Sequence, residues 1–436
     1  MFENYLEEDM VVIQGDYATS VVILSILIAV IASYSALTMN GRAQRIGFFH
    51  RNLWLMFASI AMGFGIWSMH FVGMSAFSLP VHMTYNVTLT VLSIVPAMVA
   101  SFIAFYLSNL PKRGLWVYIL AGVSMGAGIS TMHYMGMYAM KMDIFYSYNY
   151  LIFIVSIGIS VAISMLAVYI FSNLQLYMKN RWIQLFTALI MGLAVSSMHY
   201  TGMSAVTFYV PSDFHAHALA HDMGNIGGLV IIVTAGMALL LGILFLLGQI
   251  DRYVAYHTNF FDSFTKLPNR RLFEQDLRKH LFPEYLIIWQ LHGLEELNKE
   301  YSYQFVDEVI KLTAQRFQSM RPPSSELYRI EENRFAFLIK DVKESSHVKE
   351  AMQRISEYLQ TPFFIDGEKI YLSSVCAVAE ANNKTEAATL YANALAVIRH
   401  SSTKFENEVI FFDPAIHTHA FEREIVDGIG RAIKMG

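Results

Sequence analysis

Three histidines stand in the same phrase at three places in the chain. The copies read Met62-Gly63…Met69-His70-Phe71-Val72-Gly73-Met74, Met125-Gly126…Met132-His133-Tyr134-Met135-Gly136-Met137 and Met191-Gly192…Met198-His199-Tyr200-Thr201-Gly202-Met203. The histidines are 63 and then 66 residues apart, about two membrane spans. Each lies in a long apolar stretch, where an imidazole is costly and marks a site by default. On a helix turning ~100° per residue, each His shares a face with the Met four later and with the Gly seven before it. Glycine there lets a neighbouring backbone approach closely. Met62/Met69, Met125/Met132 and Met191/Met198 form an adjacent stripe, so three such helices can converge three imidazoles and up to six thioethers.

That donor set is neutral and soft-to-borderline, with no carboxylate inside the spans. It suits copper, Cu(I) in particular, better than Zn²⁺, Mg²⁺ or Ca²⁺, and such a centre binds a diatomic gas or changes redox state. Haem held by two of the histidines is disfavoured, because no pocket-forming spacing is visible. Packing is the competing reading: Met is an adaptable filler, and a single intramembrane His often serves as a hydrogen-bonded packing element. One copy would favour packing. Three copies favour a site, since duplication alone does not hold His and Met while Val72, Met135 and Thr201 vary.

Seven stretches are long and apolar enough to span, near residues 18–39, 52–79, 86–110, 115–140, 150–175, 182–206 and 226–250. Glu7, Glu8 and Asp9 precede the first in place of a basic region, so it stays as a helix and not a cleaved signal. Arg42, Arg45 and Arg51, then Lys112 and Arg113, then Lys179 and Arg181 follow spans one, three and five, and the opposite loops hold only Lys141. The positive-inside rule places the N-terminus outside, the C-terminal half in the cytoplasm and the histidines toward the outer leaflet. Of 31 Lys+Arg, only 8 precede Asp251, so a soluble domain follows the bundle. A net charge of −4 gives no ground for nucleic-acid binding, and the single Cys376 excludes an intramolecular disulfide. His215, His217 and His221, flanked by Asp213 and Asp222 in the loop after span six, form a second candidate metal set, with a solvated loop as the alternative.

The membrane half, roughly residues 18–250, resembles bacterial MHYT sensor domains, with motifs MHFV, MHYM and MHYT. The resemblance implies sensing of O₂, CO or NO through copper. Asp262-Ser-Phe-Thr265-Lys-Leu-Pro268-Asn269-Arg270 resembles the opening of GGDEF domains, the diguanylate cyclase family, and the likeness runs to Phe412-Asp413-Pro414. It implies an α+β, cyclase-palm-like fold with a mostly antiparallel sheet. Strand-like runs at 285–291, 334–339 and 371–379 agree.

The catalytic residues of that family are replaced. Trp289-Gln290-Leu291-His292 stands where L-D-x-D is expected, and Glu331-Glu332-Asn333-Arg334-Phe335 replaces G-G-D-E-F. Gln290 and Asn333 lack the charge to hold Mg²⁺, and Arg334 is a cation where a carboxylate is needed. His400 takes the place of the phosphate-gripping Lys, and Pro323-Ser-Ser-Glu326 that of the inhibitory R-x-x-D. The domain is therefore expected to make no cyclic di-GMP. The positions resembling guanine readers survive as Asn298 and Asp307, compatible with GTP as an allosteric ligand or with local capping and pairing. The last stretch, from Phe421, resembles the helix leading into EAL phosphodiesterase domains, so a truncated parent is expected.

The expected organisation is a seven-helix all-α bundle over 1–250, a linker over 251–261, a degenerate GGDEF domain over 262–415 and a lead-in helix over 416–436. The expected function is a cyclic di-GMP signalling protein that senses copper, a gas or redox state. Its expected partners are membrane lipid, a second copy of itself, and an EAL domain in cis or cyclic di-GMP enzymes in trans. The alternatives are a copper-handling transporter and a full-length phosphodiesterase whose EAL domain lies outside this chain.

Overall fold

A computed structural model describes residues 10–44, 49–79, 81, 83–111, 114–142, 144–173, 180–211, 223–279, 284–340, 345–381, 386–400 and 407–417. The chain divides into two units, Met1–Val254 and Ala255–Gly436. The His215–His221 loop, Arg45, Lys112, Arg113, Lys179 and residues 418–436 lie outside the described residues.

The first unit opens with strands β1 (Met10–Ile13) and β2 (Asp16–Tyr17), followed by helices α1 (Thr19–Arg42) and α2 (Arg51–Ala76). Strands β3 (Phe77–Ser78) and β4 (Met83–Tyr85) lead to α3 (Val87–Leu92), α4 (Ile94–Ser108) and α5 (Leu115–Tyr138). Strands β5 (Met140–Met142) and β6 (Phe145–Tyr148), helices α6 (Tyr150–Asn173) and α7 (Arg181–Ser204), strand β7 (Val206–Pro211) and helix α8 (Met223–Phe260) complete it. Among the described residues, seven spans are long and apolar enough to cross a membrane, α3 and α4 together making one of them. That span is parted at Ser93. Pro96 follows, and it lacks the amide that would bond back to the carbonyl of Leu92.

Around the bundle, α1, α2, α4, α5, α6 and α7 each pack on the next, and α7 returns to α1, closing a ring. The repeat is threefold, and the glycines seven before each histidine set its closeness. A Cβ on Gly63 would lie 2.7 Å from the Met98 backbone, on Gly126 2.6 Å from Val161, and on Gly192 2.9 Å from Val30. Helix α8 stands against α1 and α2 through Val233 and Met237, which pack with Ile28, Ala32 and Val72.

Short strands cap the histidine end of the ring, where sequence periodicity gave only loops. β2 pairs with β3, β4 with β5, and β6 with β7, which also holds β1. In each repeat the strand entering one span thus pairs with the strand leaving its neighbour. These strands take up the ends of spans two, four and six, which were expected to run as helix to 79, 140 and 206. The stretch expected as a linker is helical: α8 runs through Phe260, residues 251–260 hold no Gly or Pro to break it, and the two units meet within it at Val254/Ala255.

The second unit carries a five-stranded sheet. Helix α9 (Arg270–Lys279) precedes β8 (Tyr285–His292), and α10 (Leu294–Glu300) and α11 (Tyr303–Ser319) follow. Then come β9 (Ser325–Glu331), β10 (Arg334–Ile339), α12 (Ser345–Leu359), β11 (Phe363–Ile365), β12 (Glu368–Ile370), β13 (Ser373–Glu380), α13 (Ala387–Arg399) and β14 (Val409–Phe411). The order is β14-β13-β8-β10-β9, antiparallel except for the β13–β14 pair. β8 is buried on both faces: Ile287, Trp289 and Leu291 pack with Phe317 and Phe335, while Leu286 and Ile288 pack with Phe273 and Leu390. The architecture is a seven-helix bundle followed by an α+β, cyclase-palm-like domain, as expected.

Candidate metal centre

His70, His133 and His199 meet at the ring axis. Each lies near the C-terminal end of its helix, and each is buried, with 0–1% of its surface exposed. Their Nδ1 atoms form a triangle with sides of 3.1 Å (His70–His199), 3.1 Å (His133–His70) and 3.3 Å (His199–His133). The rings stand nearly perpendicular to one another, at 83–87°.

Hydrogen bonding cannot satisfy that triangle. In a neutral imidazole each nitrogen is either a donor or an acceptor. Three identical atoms each assigned one role leave at least one side with two donors or two acceptors facing. A cation receiving three lone pairs removes the conflict. With metal–nitrogen bonds of about 2.0–2.1 Å, sides of 3.1–3.3 Å subtend angles of roughly 95–110° at the ion. That is close to tetrahedral, with one corner left open. The residues fit a metal.

The positions of the imidazoles depend on the second glycine of each motif, Gly73, Gly136 and Gly202. The nearest atom to a Cβ built on Gly136 is Nε2 of His70, on Gly202 Nε2 of His133, and on Gly73 Nε2 of His199. Each glycine three after a histidine therefore makes room for the histidine of another helix. The three Nε2 atoms are buried without a hydrogen-bond partner among the described residues. The signal was present in the motif, but only the closed ring shows which histidine each glycine receives.

The methionines stand to either side. Met74, Met137 and Met203 pack at the capped end with Phe77, Leu79 and Phe208. Met69, Met132 and Met198 belong to the main bundle core with Met62, Ile66, Met125, Ile129, Met191 and Val195. The motif tyrosines anchor the ring: Tyr134 bonds Ser156 at 2.7 Å and Tyr200 bonds Ser25 at 2.8 Å. Phe71, lacking a hydroxyl, packs on Tyr85 instead.

In the second unit the residues at the expected cyclase site are tied to one another. Arg334 Nε donates to Gln290 Oε1 at 2.7 Å, and its Nη1 to Glu331 Oε2 at 2.6 Å. Asn333 is held to β8 through its side-chain amide, 3.0 Å from the Leu291 carbonyl. Burial and the nearby Arg334 charge push the His292 pKa down. Glu326 faces Arg321 at 3.5 Å, and the His400 ring lies 5.3 Å from that of His417. Asn298 on α10 and Asp307 on α11 lie on adjacent helices after β8. Neither is a helix cap, since Gly293 and Ser302 hold those positions, and Asn298 Oδ1 is buried without a partner among the described residues.

Comparison with known proteins agrees with both halves. The MHYT family, described as a bacterial signalling protein N-terminal repeat, matches residues 63–121 and 126–182. The GGDEF family, described as diguanylate cyclase, matches residues 259–405. Bifunctional diguanylate cyclase/cyclic di-GMP phosphodiesterase MucR of Pseudomonas aeruginosa is 29% identical over 94% of this chain, and cyclic di-GMP phosphodiesterase NbdA of the same organism 27% over 91%. The chain spans 63% and 54% of the lengths of those two relatives. Signaling protein YkoW of Bacillus subtilis is 35% identical over 44% of this chain and 24% of its own length. A solved diguanylate cyclase/phosphodiesterase from Caldicellulosiruptor saccharolyticus covers 37% of this chain and 97% of its own at 25% identity, with a TM-score of 0.33. The chain thus carries MHYT repeats followed by a GGDEF domain, and it is similar to signalling proteins that join the two.

Proposed function

We propose that the histidine triad is a copper(I) centre, and that its occupancy biases a non-catalytic GGDEF domain that controls cyclic di-GMP output. The observation that carries this is the closed triangle of three Nδ1 atoms. His70, His133 and His199 would hold the ion, and a thioether of Met74, Met137 or Met203, or a diatomic gas, would take the open corner. Three neutral imidazoles in an apolar core offset one positive charge more readily than two, and among the described residues no carboxylate joins their group to neutralise Zn²⁺. Copper supplies a site for a gas ligand or an electron. The chain's own residues fix the three imidazoles through Gly73, Gly136 and Gly202 and exclude water.

A sensor is favoured over a transporter by what lies beneath the triad. Met62, Ile66, Met69, Met125, Ile129, Met132, Met191, Val195 and Met198 fill that core with apolar side chains. In this reading the capped end faces outward, the N-terminus lies outside, and α8 carries the change inward. The Arg334 pairing supports a domain without cyclase activity, and the unpartnered Asn298 oxygen supports a guanine nucleotide as a second input. An EAL domain in cis or cyclic di-GMP enzymes in trans, and a second copy of the chain, are the proposed partners.

Hydrogen–deuterium exchange on the detergent-purified chain tests the coupling. Cu(I) is expected to change protection in residues 251–260 and in the β9–β10 hairpin of the wild type, and not in a His70→Ala/His133→Ala/His199→Ala variant. Identical exchange with and without Cu(I) would contradict a sensor.

A further inference from the structure

Between the triad and the capped end of the bundle, the filling is mostly methionine. Met74, Met137 and Met203 follow their histidines by four residues, about 6 Å along the helix, in the last turns of α2, α5 and α7. They form one cluster with Met83 and Met140 from the β4–β5 strand pair, so five of the eight buried members are methionine. Met142, the cross-strand partner of Met83, packs at the edge of this cluster and is partly exposed. The cluster therefore holds thioethers both at a partly exposed edge, Met142, and in the turn that follows each histidine.

Composition at these positions is not what strands ask for. β-branched and aromatic residues fit a short paired strand better than methionine, yet both strands of this pair carry it. What the thioether adds is a soft, neutral, weakly held donor. A bare cation in an apolar core is costly, and a ladder of weak donors lowers that cost in steps. Ions that hold water and oxygen ligands tightly gain little from sulfur.

We propose that this methionine cluster is the loading route of the centre, with Met142, Met83 and Met140 as its outer stations. The proposal rests on the copper reading above. Cu(I) enters and arrives as Cu(I): each step forms one copper–sulfur bond as another ligand leaves, with no electron transferred. The final exchange replaces thioether by the Nδ1 atoms of His70, His133 and His199.

The test is the rate of copper uptake by full-length apo-protein in detergent, read as loss of absorbance of a Cu(I)–bicinchoninate complex. Met83→Leu/Met140→Leu/Met142→Leu nearly conserves volume, a change that cores tolerate. This variant is expected to load about ten-fold or more slowly than wild type and to reach the same final copper per chain. Wild-type loading rates in it would overturn the route and leave the methionines as packing. A lower final copper content at an unchanged rate would also overturn it, making them equilibrium ligands. Met142→Leu alone, at the partly exposed edge, is expected to slow loading about two-fold or more, and an unchanged rate there counts against the route even if the triple variant fails to fold. No copper bound by wild type would instead remove the copper centre itself.

Discussion

Arg334 Nε lies 2.7 Å from Gln290 Oε1, joining the two positions at which the resemblance to cyclases expects metal-binding carboxylates. The same guanidinium reaches Glu331 Oε2 at 2.6 Å. A cation belonging to the chain thus stands among the residues where Mg²⁺ would be required, and both neutral and cationic replacements oppose a two-metal site. Purified protein with GTP and Mg²⁺ or Mn²⁺ is expected to form no cyclic di-GMP above a heat-killed control. Gln290→Asp alone is expected to stay inactive, since its carboxylate would pair with Arg334. Product from either protein would contradict the assignment.

Asn298 and Asp307 give the second expectation. GTP should bind weakly, in preference to ATP and with little dependence on Mg²⁺, because a carboxylate accepting the guanine N–H donors needs no metal. Asp307→Ala removes a charged acceptor, an effect of about 1.5–3 kcal/mol, or roughly ten-fold or more in affinity. Titration calorimetry on the full chain decides it. No heat up to millimolar GTP would leave metal as the protein's input.

Gly136 supplies a packing test of the triad. A Cβ there would overlap the His70 ring, and Gly73→Ala and Gly202→Ala do the same to His199 and His133. Overpacking costs about 1–3 kcal/mol, so each alanine variant is expected to hold copper about ten-fold more weakly with unchanged helix content. Unaltered affinity in all three would show that the ring positions are not what binds the ion.

Asp262 sets a pH expectation. Burial opposes its charge, yet the Thr265 amide and hydroxyl and the Arg329 guanidinium donate to it at 2.8, 2.8 and 2.9 Å and hold its pKa below the usual carboxylate value. A folded-state pKa below the unfolded value stabilises the protein above that value and ceases to do so as the pH falls through the folded one. Asp262→Asn is expected to cost about 2 kcal/mol at pH 7. Thermal unfolding should show the gap closing as pH drops below about 4, and a gap of constant size down to pH 3 would count against the pairing.

The bundle was legible because hydrophobic length and repeat spacing are local properties of the chain. His70, His133 and His199 could be named from the motif alone. Their mutual orientation could not, since which helix neighbours which follows from closing the ring. The same limit hid the partnership of Gly73 with His199 and the β4–β5 pairing, whose three-residue strands carry too little periodicity to announce themselves. The helical state of the linker was not legible for a different reason: the polar residues Asp251, Arg252 and Asn259 signal the end of the membrane span, not the end of the helix. In the soluble half the motif positions of the cyclase family located Gln290 and Arg334, but the bond between them required the β8–β10 register.

The most direct measurement is copper per chain in detergent-purified protein reconstituted with Cu(I). Wild type and Val72→Ala are expected to retain about one copper per chain through desalting, the one-ion occupancy that a single tetrahedral site allows. His70→Ala, His133→Ala and His199→Ala should each fall well below that. Equal copper in all five proteins would contradict the intramembrane centre, and loss only on removing His215, His217 and His221 would move the site to the loop.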